Sequence, residues 1–464
     1  MILCRCCDVT LADVQEALAA GYTHPETIKR HTKALTGPCQ GRSCEDLVLA
    51  AIGVAPEAAP RARPPARSPS RTGVPGVASG PPPGMAEVVI VGAGIQGLAL
   101  AYELGRRGFR DVVVLDRSWP GSGASTRNGE MIRSAFASPE WCGLFDVALR
   151  RWHALADELD APTGFTAAGY LLLATTTEEA ERLAGYAERH RAYGLATRLL
   201  DAGETLVAAP ALAPDQVRAG LLQEDGGYGD HNLALFAFAA AAGRGGAHIH
   251  PYVEVTGIRV DRGRVTGVET TAGPISTPHV VLAAGPATPR LAAQAGLEVA
   301  TRTVHLEAIA TERLEPFLGP ALAMLHVLGY GHQTPRGEFV GGTEQTDMAR
   351  TDDVEGNLYY LRDIAQKFVR VLPRLAGARL VRHWGGLLDT APDMAPVLGP
   401  TDVEGVVLDA GWTYGFVGAP AGGLLLADYL ATGKVPPVLA PFLPERLVTR
   451  RFIEEGSLVV VPET

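Results

Sequence analysis

The run Val88 to Gly97, VVIVGAGIQG, constrains this chain more than any other segment. An apolar stretch leads into Gly92-x-Gly94-x-x-Gly97, an apolar helical pattern follows from Leu98 to Arg107, and a second apolar stretch covers Val112 to Asp116. This order reads as strand, glycine turn, helix and strand, a βαβ unit. In that setting the first glycine permits the tight turn, the second lets a pyrophosphate approach, and the third allows the helix to pack closely. Asp116, about twenty residues on at the end of the second strand, is placed to bind a ribose. Taken alone, the motif says dinucleotide and does not separate NAD from FAD. Ordinary turns are the bland alternative for such glycines.

A second constraint stands ahead of it. Cys4, Cys6, Cys39 and Cys44 form a C-x-C and C-x4-C set, and with Cys7 they place five of the six cysteines in the first forty-four residues. Such uneven spacing fits metal ligands better than a disulfide framework in a long chain with no secretory signal. Four thiolates suit a 2Fe-2S cluster and also suit zinc. Cys7 adjoins the ligands and leaves the identity of the second one open between Cys6 and Cys7. Residues 1–54 read as short helices: one from the capping box at Thr10 to Gly21, one from Pro25 to Leu35, one from Cys44 or Glu45 onward. Cys142 stands alone and reads as a buried small apolar residue.

At 464 residues, 47% apolar and 20% charged, the chain has the composition of a globular protein of two or three folding units. A net charge of -10 with no basic cluster on a folded-looking segment opposes nucleic-acid binding. No stretch is apolar enough to span a bilayer, and the expected location is the cytoplasm. Residues 55–85 turn into a proline- and alanine-rich run without apolar periodicity, which reads as a tether. Fully extended, about thirty residues at roughly 3.1 Å each reach on the order of 90 Å, so the head is expected to sample several positions.

The blocks that follow the glycine turn carry a resemblance. Gly121-Ser-Gly-Ala-Ser125-Thr-Arg127-Asn128-Gly129-Glu-Met-Ile-Arg133, then Val280-Val-Leu-Ala-Ala284-Gly285, Trp384-Gly-Gly, Thr390-Ala-Pro-Asp393 and Gly411-Trp-x-x-Gly415 recur in order over residues 86–435. This series resembles the D-amino-acid oxidase superfamily of FAD enzymes. Arg127-Asn128, Ile132-Arg133 and His332-Gln333-Thr334-x-x-Gly337-Glu338 look most like the β subunits of sarcosine oxidases and of dye-linked proline and hydroxyproline dehydrogenases. The head, on Cys4-Arg5-Cys6 and Gly37-Pro-Cys39-Gln-Gly-Arg-Ser-Cys44, resembles the 2Fe-2S domain of bacterioferritin-associated ferredoxins.

The resemblance implies an α/β fold: a Rossmann-type FAD-binding domain, a substrate domain on a mixed or antiparallel sheet, and a small all-helical [2Fe-2S] head. The corresponding boundaries are 1–54 for the head, 55–85 for the linker, 86–440 for the oxidoreductase and 441–464 for a tail. Within the oxidoreductase, about 86–160, 215–300 and 375–440 would bind FAD, and 161–214 with 301–374 would form the substrate part. Cofactor contacts are expected from Gly92, Gly94, Gly97, Asp116, Arg117, Ser125, Arg127, Asn128, Val255, Ala284, Gly285, Gly411 and Gly415. Of these, Ser125, Arg127 and Asn128 would donate to pyrophosphate oxygens and Val255 would pack on adenine. Arg133 corresponds to an arginine that holds a substrate carboxylate, for which a guanidinium fork is suited. A surface or FAD-pairing role is its alternative, and Arg382 is a second candidate. Tyr330 and His332 fall in the segment expected over the flavin, to orient an amine or accept its proton, or simply to line the pocket. One departure stands out: sarcosine oxidases keep a lysine where this chain has Phe416-Val417-Gly418, so a second carboxylate contact is missing and sarcosine itself is in question.

The expected reaction is oxidation of the C–N bond of an amino acid bearing a secondary amine, with electrons passing from FAD through the cluster to an acceptor or a second flavoprotein subunit. Two other readings compete: oxidation of glycerol 3-phosphate or a 2-hydroxy acid, and a metal-sensing or metal-carrying head on a dormant flavin-binding body.

Overall fold

The computed structural model describes residues 1–5, 7–36, 44–55, 76–78, 80–325, 327, 329–343, 354 and 356–457. The apolar run Val88–Val91 is a fully buried strand, followed by the helix Ile95–Arg106 and the strand Val112–Asp116. These belong to a six-stranded sheet in the spatial order 248–251, 112–116, 88–91, 280–282, 406–410, 397–400. The first five strands run parallel, and the last, Val397–Pro400, pairs antiparallel. Continuous valine and leucine in the inner strands is what a parallel sheet covered on both faces requires. Helices Ile95–Arg106, His231–Arg244 and Gly415–Thr432 contribute to the core on one face, and the meander Val255–Asp261, Arg264–Thr270, Ile275–Ser276 contributes to the other.

The second unit is an eight-stranded mixed sheet, ordered 380–390, 302–313, 338–343, 329–333, 321–324, 170–174, 219–223, 197–201. All its neighbours are antiparallel except 321–324 with 170–174. Two of its strands, Ala219–Gln223 and Leu380–Thr390, come from segments expected in the cofactor-binding part. Their partners decide the matter: Leu380–Thr390 pairs along most of its length with Arg302–Arg313, so it is a substrate-sheet edge strand. The amphipathic helix Leu358–Val371 packs Tyr360, Ile364, Phe368 and Val371 into the core of this sheet.

The head contains the three expected helices, Leu11–Ala19, Pro25–Thr32 and Glu45–Ala51, with the capping box at Thr10 and Asp13 formed. It is not wholly helical: Ile2–Cys4 pairs with Val9–Thr10 in a short ladder that two- and three-residue segments are too brief to announce. Part of the segment read as tether is also structured. Val77 bridges in parallel to Ile249 at the sheet edge, and Met85 bridges to Ser276. Cys142 is buried as expected, and burial pushes its thiol up to about 12. Among the described residues no helix is long and apolar enough to cross a membrane.

Candidate active site and cofactor-holding loops

The glycine turn has room for backbone and for nothing more. A Cβ on Gly92 would lie 2.3 Å from the Ala283 carbonyl oxygen, and one on Gly97 would lie 2.1 Å from the oxygen of Gly92. Gly92 also has φ +114, a conformation that side chains resist. Ser125 Oγ accepts the Ile95 N–H at 3.0 Å, so the second loop is tied to the first turn of the helix. Asp116 accepts the N–H groups of Ala93 and Ser118, each at 2.8 Å, which holds its carboxylate at the strand end where a ribose would lie. Arg117 is exposed beside it. Gln96 Nε2 donates to the Gly415 carbonyl at 2.8 Å and joins the glycine turn to the carboxyl-terminal helix. Gly285 and Gly411 both have positive φ, +52 and +67, and Gly411 N donates to Asp389 Oδ2 at 2.8 Å. Ala284 precedes Gly285 in the turn after Val280–Leu282, and Val255 is buried in the core that includes Val91 and Leu115. A cradle closed to any Cβ, a carboxylate at the strand end and small residues at each crossing fit FAD.

At the other end of these loops lies a narrow cavity of about 120 Å³. Its wall includes Asn128, Glu130, Tyr170, Glu307, Tyr330 and Tyr414. Arg127 and Asn128 line this cavity. Their donors serve the loop itself: Arg127 binds the carbonyls of Ser122 and Gly123, and Asn128 Nδ2 that of Ser125 at 2.9 Å. Trp384 Nε1 donates to the Arg127 carbonyl at 3.0 Å and fastens the loop to the substrate sheet. A larger open groove of about 1150 Å³ follows the tail at residues 451–456.

Of the three residues expected to meet substrate, only Tyr330 lines the cavity. Burial holds its phenol well above the usual range, so it is protonated at neutral pH. His332 is fully buried behind it, stacked on Tyr228 with ring centroids 4.2 Å apart. Burial pushes His332 down to about 4, and its Nε2 lies 3.6 Å from Glu130 Oε2.

Arg133 is 2% exposed and does not line the cavity. Its guanidinium lies over the rings of Phe136, Tyr170 and Tyr414 at 4.0, 5.1 and 5.7 Å, and donates to Ala135 O at 3.2 Å and Ser457 O at 2.8 Å. Its guanidinium is turned to these carbonyls and not into the cavity. The tail takes one arm of the fork, and Tyr170 and Tyr414, which do line the cavity, lie beside its plane. Arg382 is exposed and lies 5.7 Å from the Trp384 ring.

Two carboxylates that sequence reasoning passed over do reach the cavity. Glu130 sits in the quoted loop between Gly129 and Met131, with Oε1 2.8 Å from His231 Nδ1, and the paired imidazoles pull it down to about 2 against the opposing effect of burial. Glu307 projects from the long strand Arg302–Arg313, with Oε1 3.3 Å from His305 Nε2 and Oε2 accepting from Asn357 N at 2.9 Å and from His383 Nε2. A signal existed for the second: His305 and Glu307 alternate on one face of a strand whose neighbours are apolar.

In the head, Cys4 and Cys44 are brought from its two ends into one apolar cluster with Leu3, Val9, Val14 and Val48, neither of them in a disulfide. Two buried thiols converging in this way fit cluster ligation. Cys6 and Cys39 lie outside the described residues, and Cys7 has its sulfur 3.8 Å from Thr36 Oγ1.

Comparisons with known proteins agree with this geometry. Residues 87–429 match the family described as FAD dependent oxidoreductase (DAO), and residues 2–52 match the BFD-like [2Fe-2S] binding domain. The chain is 31% identical to the sarcosine oxidase subunit beta of Arthrobacter sp, over 81% of this chain and 94% of the relative. It is 30% identical to a glycine oxidase of Pseudomonas putida, over 77% of this chain and 98% of that one. Among solved structures, L-proline dehydrogenase from P. horikoshii superposes with a TM-score of 0.76 at 27% identity, covering 80% of this chain and all of the other. With the nucleotide cradle, the walled cavity and the buried thiol pair in place, the chain belongs to the DAO family of FAD-dependent oxidoreductases and carries a [2Fe-2S] domain ahead of it.

Proposed function

We propose that this protein oxidises the C–N bond of an amino acid carrying a secondary amine, sarcosine-, proline- or hydroxyproline-like, and that the electrons leave through the [2Fe-2S] head. The observation that carries the reading is the cavity: small, walled by Tyr170, Tyr330, Tyr414 and Phe416, and set where the cofactor loops meet the substrate sheet. Relatives named for sarcosine, glycine and proline oxidation support it. When bound, FAD supplies a two-electron acceptor and the cluster a one-electron carrier.

The chain's own groups supply position and a dry environment. Leu387, Leu388 and Phe416 line the cavity with apolar surface and exclude water from it. Tyr330 presents a protonated hydroxyl, a donor that can orient a nitrogen lone pair. His332, held neutral behind Glu130, fixes the surroundings of that carboxylate and stays uncharged at pH 7. The sarcosine oxidase relatives are named as subunits, and on that ground we place this chain in an assembly with a further electron-accepting subunit.

The test is an anaerobic visible spectrum recorded before and after adding sarcosine, D- and L-proline, hydroxyprolines, glycine and glycerol 3-phosphate. Bleaching of the flavin by a secondary amino acid followed by loss of cluster absorbance is the expected result. Bleaching by a hydroxy compound alone would overturn the amine reading, and no bleaching by any of them would leave the sensor reading in its place.

A further inference from the structure

Arg133 is a buried cation whose hydrogen-bonded partners among the described residues are all neutral, and the tail supplies the nearest of them. Its acceptors are Ala135 O at 3.2 Å, Ser457 O at 2.8 Å and Ser457 Oγ at 3.5 Å, and Nε, buried as well, has none among the described residues. A guanidinium stays protonated in such a setting, so the charge is kept with no carboxylate bonded to it. The cavity is close by: the rings of Tyr170 and Tyr414 lie 5.1 and 5.7 Å from the guanidinium carbon, and both residues line the cavity.

The chain that brings Ser457 there is fastened by polar contacts. Ile453 N donates to Asp393 Oδ2 at 3.2 Å, Glu455 accepts Ala137 N and Ser138 N at 2.7 Å each, and Tyr186 Oη donates to Gly456 O at 2.9 Å. Arg451, Phe452, Glu454 and Gly456 are exposed along the open groove, Ile453 packs partly buried against the core, and Ser457 is fully buried. A segment held by hydrogen bonds that water can replace, with little apolar burial, opens without unfolding the rest. An ionised carboxylate makes a shorter, stronger and often bidentate contact with a guanidinium, which a single carbonyl oxygen cannot.

We propose that the tail is a latch on this site: with Ser457 docked, the Arg133 guanidinium is withheld from the cavity, and the carboxylate of a ligand in the cavity competes with the tail for it. The proposal rests on the reading of the cavity as the place where an amino acid is oxidised, and adds its regulation. If the tail must leave before the guanidinium is free, affinity is reduced by the fraction of molecules whose tail is open. Each factor by which docking is weakened then returns as an equal factor of affinity, until the tail is mostly open. By the same linkage, the bound anion loosens the tail. A neutral ligand of the same size has nothing to exchange for the Ser457 carbonyl and leaves the tail docked.

Binding and hydrogen exchange test this without turnover. Full-length holoprotein is titrated, by calorimetry and the flavin difference spectrum, with methoxyacetate, an anion, and with 2-methoxyacetamide, its neutral counterpart. At saturation methoxyacetate should speed exchange of the amides of residues 453–457 and of Ala137 and Ser138 by at least about fivefold, and the amide ligand should not. Glu455→Ala should tighten methoxyacetate by about tenfold and Tyr186→Phe by about threefold, with 2-methoxyacetamide unchanged in both. A variant that is merely loosened would bind both ligands more weakly, so tightening separates a latch from a structural contact. Flavin content and melting temperature check folding, and the two residues lie in different elements, so loss of one variant leaves the other to decide. Tail amides equally protected with methoxyacetate bound, together with variants that bind it no more tightly than wild type, would overturn the proposal, as would failure of methoxyacetate to bind wild type and both variants. If methoxyacetate releases the tail but no amine bleaches the flavin, the latch stands and the C–N oxidation reading fails; an amine that bleaches the flavin while the tail stays protected under methoxyacetate gives the reverse.

Discussion

At Gly97 the space for a side chain is already taken by the Gly92 carbonyl, 2.1 Å from a Cβ, and by Ile90 Cγ2 at 3.0 Å. Gly97→Ala must therefore push the helix off the turn. The expected outcome is a protein that purifies with at least about tenfold less FAD, measured by absorbance of released flavin against protein. Such glycines are legible in sequence because their constraint is local, a turn meeting its own helix. Glu130 and Glu307 are not legible in the same way, since their placement depends on which strands pair and where a loop meets the sheet. Arg133 shows a contact of the same kind: a tail more than three hundred residues later in the chain accepts one arm of its guanidinium. Asp409 makes a prediction of its own. Its carboxyl is buried, accepts only from Trp412 Nε1 at 2.6 Å among the described residues, and is pushed up from 3.8 to about 7. The folded state thus keeps a proton that the unfolded state gives up, and stability is lost as pH rises from about 4 to 7. Asp409→Asn removes that loss, so the variant should melt above wild type at pH 8, by on the order of 1–3 kcal/mol, and show no advantage at pH 4.

The helix Pro139–Leu159 shows what a tail can do for an element. Ser138-Pro139-Glu140 is a start signal, and the structure begins the helix there with Ser138 as N-cap. Ser138 shares the work with Glu455, whose carboxylate accepts Ala137 N and Ser138 N at 2.7 Å each and Ser138 Oγ at 2.9 Å. Ser457 N also donates to Glu455, at 2.9 Å, so one carboxylate both caps the helix and shapes the tail that meets Arg133. Glu455→Ala should cost about 1–3 kcal/mol in a denaturant titration, from the lost charge-assisted bonds. Glu455→Gln, which keeps one acceptor oxygen, should recover part of it. No local pattern could announce this contact, because residues 441–464 carry no periodicity that says where they dock.

Across the whole molecule the open matter is whether the head is tethered or seated. A proline-rich connection argues for a head that wanders, but the structure gives it a place. Leu233, in the first turn of the helix His231–Arg244, is 3% exposed and belongs to the head's own apolar cluster with Leu3, Cys4, Cys44 and Val48. Arg30 of the head lies 5.9 Å from the Phe236 ring one turn further on. That turn starts at His231, which pairs with Glu130 on the cavity wall. A single helical turn therefore joins the apolar cluster that includes Cys4 and Cys44 on one side and pairs with a residue of the cavity wall on the other. Full burial of one leucine contributes about 1.5–3 kcal/mol, enough to shift a weakly docked domain by tenfold or more. Leu233→Asp should accordingly release the head while the body stays folded. In hydrogen exchange, amides of Leu11–Ala19 and Glu45–Ala51 should exchange faster in the variant, while those of Val88–Val91 and Val112–Asp116 stay as protected as in wild type. Unchanged protection in the head would show that the seat does not depend on Leu233, and lost protection in the parallel sheet would show that the substitution unfolds the body instead.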